Sequence, residues 1–357
     1  MRPANGVQAR NPEESRLLAK SDLASWLRRL MGDAEVIAPA VGAGGDLMFA
    51  PVTDPEAVWL GPGNPLQPPK QYVLPQTDPI VRIERNGGGV EVSSISDERA
   101  RVIIGMRSCD ARGMAYLRRM QATDLPDDAY LRRADRVAVV TLACTTPCTL
   151  GFCVCCDAGP FARDGHDVQL VDLGDRFLAE GATERGRAMV ADAPFRPATG
   201  TDVVQRDEVE REAERHFGDE SAHLGAAMRR ISTRRVAEEL WEAMSPWCFE
   251  CGGCNFICPT CYCFSVKDRC LDHGWERCRT WDSCQYSAFT LEASGHNPRE
   301  RRKERIKRRF FHKVSAQYYQ RDGAVGCVGC GRCVQTCLGT TDMPAVVAAI
   351  RKGVWHG

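Results

Sequence analysis

Eight of the nineteen cysteines fall into two runs of identical spacing, and no other feature constrains the chain so tightly. The first, CFECGGCNFICP, places Cys248, Cys251, Cys254 and Cys258 at C-x2-C-x2-C-x3-C, with Pro259 behind the last. The second, CVGCGRCVQTC, places Cys327, Cys330, Cys333 and Cys337 at the same spacing, with Leu338 where the common pattern has proline. Three thiolates so spaced hold three irons of one 4Fe-4S cluster, and the fourth cysteine of such a run reaches the neighbouring cluster. The expected ligand sets are therefore Cys248, Cys251, Cys254 and Cys337 for one cluster, and Cys327, Cys330, Cys333 and Cys258 for the other. Gly252, Gly253, Gly329 and Gly331 suit loops in which backbone amides approach the cluster and positive φ is needed. Zinc usually shows paired C-x2-C knuckles with a long spacer, which these triple runs do not resemble.

The remaining composition narrows the class. With 357 residues the chain has material for two or three domains. Lys plus Arg (47) balances Asp plus Glu (47), which removes the electrostatic argument for a nucleic-acid or anionic-membrane partner. An odd cysteine count cannot form a complete set of disulfides within one chain. The first twenty residues lack the apolar core of an export signal, and no apolar run reaches the length of a membrane span, so a cytoplasmic protein without a direct membrane span is expected.

The cysteines also divide the chain. Leu23, Trp26, Leu27 and Leu30 at helical spacing, with Ser21 as an N-cap candidate, predict a helix over 13–31. Strand-like runs follow at 36–41, 46–52, 80–85, 90–95, 101–106 and 136–142, with NGGG at 86–89 as a hairpin turn. Charged, helically patterned sequence occupies 203–245. The expected fold class is α+β: a mixed α/β domain over 1–202, a helical connection over 203–245, and an α-helical two-cluster ferredoxin-like domain over 246–357. The 68 residues from 259 to 326 are read as helical, because RERRKERIKRRFFHKVSAQYY contains no breaker.

A second group of cysteines follows two predicted strands: Cys109 in MRSCDARG, and Cys144, Cys148, Cys153, Cys155 and Cys156 in CTTPCTLGFCVCC. Strand ends gather at one sheet edge, so these loops can meet. Two readings stand side by side, a third cluster on Cys109, Cys144, Cys148 and Cys153, or unligated and redox-active thiols. For Asp110 and Arg112 a plain salt bridge is expected. Cys261, Cys263, Cys270, Cys278 and Cys284 in the spacer read as buried thiols. The basic stretch 299–313 reads as a solvated helical face, with an acidic-partner docking surface as the alternative. No G-x-G-x-x-G, P-loop or G-x-S-x-G is present, so no nucleotide or hydrolase site is expected and no residue is assigned as catalytic.

KQYVLPQ (70–76), GMRSCDARGM (105–114), CTTPCTLGFC (144–153), VDLGDRFL (171–178), CGGCNFICPTCYCF (251–264), WDSC (281–284), GHNPR (295–299) and CVGCGRC (327–333) together resemble one family. It is the β subunit of soluble sulfhydrogenase-type nickel-iron hydrogenases, similar in turn to the A subunit of anaerobic sulfite reductase. The resemblance implies a subunit with two 4Fe-4S clusters. It would relay electrons between a flavin and NAD(P)H-binding partner and a catalytic one, either a nickel-iron hydrogenase or a sirohaem sulfite reductase. Family members often have a cysteine where this chain has Gly151, whereas Cys155 and Cys156 are extra. Two competing classes are a stand-alone iron–sulfur enzyme acting on a sulfur substrate at the first-half cysteines, and a zinc-stapled interaction protein.

Overall fold

A computed structural model describes residues 14–217, 223–272 and 274–356. Along the chain run β1 (Ser15–Ala19), α1 (Leu23–Asp33), β2 (Glu35–Val41), β3 (Leu47–Pro51), β4 (Thr77–Asn86), β5 (Gly89–Ser94), β6 (Arg101–Met106), α2 (Ser108–Ala122), α3 (Asp128–Asp135) and β7 (Val137–Leu142). Next come β8 (Val168–Asp172), β9 (Arg176–Gly181), α4 (Glu184–Met189), β10 (Arg196–Pro197), α5 (Gly200–Phe217), α6 (Leu224–Ser232) and α7 (Glu238–Met244). The cysteine-rich part holds α8 (Gly253–Phe256), β11 (Phe264–Leu271), β12 (Gly274–Trp281), α9 (Arg302–Val314), α10 (Ala316–Asp322), α11 (Arg332–Thr336) and α12 (Met343–Lys352). The architecture is α+β.

The larger sheet has the order β10-β1-β9-β8-β7-β6-β2-β3, with β2, β6, β7 and β8 parallel and the outer pairs antiparallel. Strands β6 and β7 are buried throughout, as parallel strands covered on both faces must be. Their residues alternate between two cores. Val102, Ile104, Ala138 and Val140 join Trp26 and Leu27 of α1, while Ile103, Met106, Val137 and Val139 join Leu117 of α2 and Tyr130 of α3. A third core, built from α6, α7, α9 and α12, contains Ile231, Trp241, Phe310 and Val347. Among the described residues no helix is long and apolar enough to cross a membrane.

Two expectations are corrected. The helix expected over 13–31 begins only at Leu23, with Asp22 rather than Ser21 at the N-cap position and no side-chain capping bond; Ser15–Ala19 is a strand pairing with β9 and β10. The local helical spacing lost to pairing with segments about 160 residues away. The spacer between the cysteine runs is not helical throughout either. Phe264–Trp281 forms a hairpin, and β12 pairs with β4 in the sheet β11-β12-β4-β5, where β4 and β5 meet at Asn86 and Gly89. Asp78 of β4 is buried between Arg133 of α3 at 2.7 Å and Arg279 of β12 at 2.6 Å, so the hairpin is tied to the larger sheet's helices by ion pairs out of water.

Candidate metal centres

The two cysteine runs repeat one backbone. The residue after the second cysteine is left-handed in both, Gly252 at φ 73° and Gly331 at φ 76°, and each starts a short helix, α8 and α11, that carries the third cysteine. The residue before the second cysteine is left-handed too, Glu250 at φ 55° and Gly329 at φ 62°. Glycine takes this conformation without a Cβ clash. Glu250 has instead its side chain bound to Arg305. Behind the first run, Pro259 packs so closely on α2 that a Cβ at Gly113 would lie 2.7 Å from it. Its counterpart Leu338 is 83% exposed, so the departure from proline falls at the surface.

The fourth cysteine of each run crosses over. Cys248, Cys251 and Cys254 line one cavity together with Cys337 of the second run. Cys327, Cys330 and Cys333 line another together with Cys258 of the first, and Cys254 borders both. Burial pushes the thiols of Cys254 and Cys333 up, to about 12 and about 11, and raises Cys248 and Cys330. Such thiols are protonated at neutral pH, and a metal must displace their protons to bind. Among the described residues no three or more His, Cys, Asp or Glu close together as ligands of a single ion. Four thiols per cavity do supply the ligand complement of a 4Fe-4S cluster.

Cations complete the surroundings, and the sequence reading missed them. Arg305, Arg309 and Lys313 are spaced by four, so they share one face of α9, and they are only 3, 7 and 5% exposed. Arg309 borders both cavities and donates to the Thr341 carbonyl at 3.2 Å. Burial works against its charge, but Cys254, Cys333, Cys261 and Cys258 raise its pKa overall. Lys313 donates to Thr260 Oγ1 at 2.5 Å and faces Cys258, Cys261 and Cys327. Lys70 donates to the carbonyls of Asn255, Cys258 and Cys261 and lies 4.3 Å from the Trp281 ring centroid. Burial lowers its pKa to about 8. Buried charges need such partners, because desolvation would otherwise cost several kcal/mol per ion, on the order of a domain's whole stability. The fourfold spacing inside the basic stretch was the available signal.

The solvated-face reading of 299–313 holds only for the other side of α9, and there the charges are paired: Lys303 with Glu242 at 2.7 Å, Lys307 with Glu238. Of the first-half cysteines, Cys153 lies within electrostatic reach of Cys144 and Cys148, and Cys109 of Cys153 and Cys330, and the loop meets the second run where Phe152 N donates to Gly329 O at 2.7 Å. Cys156 contacts Cys327. Asp110 and Arg112 both form ion pairs, with Arg332 and Asp164. Of the spacer cysteines, Cys278 is buried and Cys270 exposed. Asn255 Nδ2 lies 3.5 Å from Cys261 Sγ and 3.2 Å from Cys284 Sγ, with Cys263 against Cys284.

The family model of the 4Fe-4S dicluster domain matches residues 247–341. Over 292 residues, 80% of this chain and 84% of the relative, the sequence is 29% identical to sulfhydrogenase 2 subunit beta of Pyrococcus furiosus. No solved structure matches the chain.

Proposed function

We propose, from the premise that this chain is an iron–sulfur subunit of the sulfhydrogenase β type, that it relays single electrons inside a cytoplasmic oxidoreductase complex. A flavin and NAD(P)H-linked subunit stands on one side and a catalytic hydrogenase subunit on the other. The observation that carries this reading is the pair of adjoining four-thiol cavities that share Cys254 and Arg309. The clusters, when bound, supply one-electron transfer. Cys248, Cys251, Cys254 and Cys337 would hold one, and Cys327, Cys330, Cys333 and Cys258 the other. Arg309 and Lys313 offset the negative charge of thiolate-ligated iron from inside the core, where solvent cannot. All-cysteine ligation leaves no open iron position for a substrate, which favours relay over turnover in this subunit. A sirohaem sulfite reductase as the catalytic partner lacks a comparable observation, since the relative is a sulfhydrogenase subunit.

Anaerobically purified chain should be brown, contain iron and acid-labile sulfide in equal amounts, and give paramagnetic resonance signals after dithionite. Cys251→Ser should remove one cluster's share of iron and stop electron flow to the catalytic partner. Unaltered iron with full complex activity would refute the ligand assignment, and a colourless, resonance-silent sample would refute the relay itself.

A further inference from the structure

We propose that Cys109, Cys144, Cys148 and Cys153 hold a third iron–sulfur cluster, seated beside the second cysteine run. The inference rests on the relay reading and extends it into the first half of the chain.

The fold builds this quartet from two places. Strands β6 and β7 are parallel neighbours, so their carboxyl ends emerge side by side. Cys109 sits in the first turn of α2 directly after β6, and Cys144 lies two residues past β7. Burial raises the Cys144 thiol to about 11, and the Ser108 backbone N–H acts in the opposite direction. A Cβ placed on Gly159 would lie 2.8 Å from Cys153 Sγ and 2.9 Å from Ser108 Oγ, so these two atoms face a common point. Cys153 lies within electrostatic reach of Cys144 and Cys148, and Cys109 within reach of Cys153 and Cys330. Cys109, Cys144 and Cys153 are 6, 9 and 8% exposed, and they pack in the core of α6, α9 and α12 rather than in the sheet cores around them.

Two features ask for an anionic group among these sulfurs. The Ser108 hydroxyl is buried and has no hydrogen-bond partner, a cost that a thiolate or sulfide acceptor would relieve. Arg107 faces Cys144 and Cys148, while Arg332 reaches Cys109. Arg332 also binds Asp110 at 2.9 Å, Asn64 Oδ1 at 2.7 Å and the Pro65 carbonyl at 2.9 Å, which locks the second cysteine run onto the start of α2. A Cβ at Gly331 would lie 2.5 Å from the Leu150 carbonyl oxygen, so the loop carrying Cys148 is pressed directly on the second run.

The test is metal stoichiometry on the full chain. Wild type, Cys109→Ala, Cys148→Ala and the outside control Cys155→Ala are purified anaerobically, reconstituted with iron and sulfide, and assayed for iron, acid-labile sulfide and zinc. Spins are counted after dithionite. The expected result is three clusters in the wild type, roughly one third of the iron and sulfide missing from each of the two quartet variants, and none missing from the control. Survival of the other two resonance signals shows that the variants fold. Iron for only two clusters in the wild type overturns the proposal whether or not the variants fold, and leaves the relay standing. One equivalent of zinc beside two clusters also overturns it. A wild type without iron would overturn the relay as well.

Discussion

The two sides of α9 carry the same kinds of cation and treat them in opposite ways. On the outer side Lys303, largely covered, and Lys307, exposed, pair with the exposed carboxylates of Glu242 and Glu238 of α7. On the inner side Arg305 is buried against Glu250 and the Gln285 carbonyl, and Arg309 and Lys313 are buried along the cysteine cavities. In water such pairs are screened and contribute little. Inside, an unpartnered charge would be prohibitive, so the inner three are tolerable only because thiols, carbonyls and Glu250 face them. One helix thus shows that the number of basic residues says little about function, while their phase around the axis says much.

The contrast can be broken most directly at Arg309. Arg309→Met should cost about 3 to 5 kcal/mol, the usual penalty for removing one partner of a buried charged set, read by anaerobic urea denaturation. The variant should retain several-fold less iron, and what remains should titrate at a more negative potential; unchanged iron and potential would place Arg309 outside the charge balance. Lys313→Met should be milder, about 1.5 to 3 kcal/mol for a charged hydrogen bond, because Thr260 keeps its bond to the Gly326 carbonyl.

His312 lies between the two sides and sharpens the comparison through pH. Burial, reinforced by Lys313 and Arg308, lowers its pKa to about 3. The folded chain therefore keeps the ring neutral where the unfolded chain takes up a proton. Stability falls as pH drops below about 6.5 and stops falling near the folded value. At pH 5 the loss is about 2 kcal/mol. His312→Phe keeps a ring against Tyr262 and Tyr318 and should abolish this component; identical pH profiles would refute it. The smallest effect belongs to the outer side, where the double substitution Lys303→Ala and Lys307→Ala should leave the thermal midpoint and iron content unchanged. A large drop would show the two faces to be energetically alike.

What the sequence disclosed follows from how local each signal is. The cysteine runs were readable because spacing itself encodes the loop, and strands β2 to β7 because their apolar runs are bounded by turns. Ser15–Ala19 was misread because Leu17 and Leu18 extend the helical rhythm of α1, and only β9 and β10, far along the chain, decide otherwise. The hairpin Phe264–Trp281 was hidden by its charge. Asp268 and Arg277 pair across strands on an exposed face, and the burial that stabilises the sheet comes from β4. The inner cations were visible only as part of a basic stretch, since the groups that neutralise them arrive from other segments.

The joint sheet has a practical corollary for dissecting the molecule. Cutting before residue 246 would strip β12 of its β4 neighbour and leave a bare row of backbone donors and acceptors along one rim. Open rims of that sort template strand addition between copies. A fragment chosen for its cysteine content alone would therefore tend to aggregate, whereas one that also retains 77–94 keeps β12 paired on both sides.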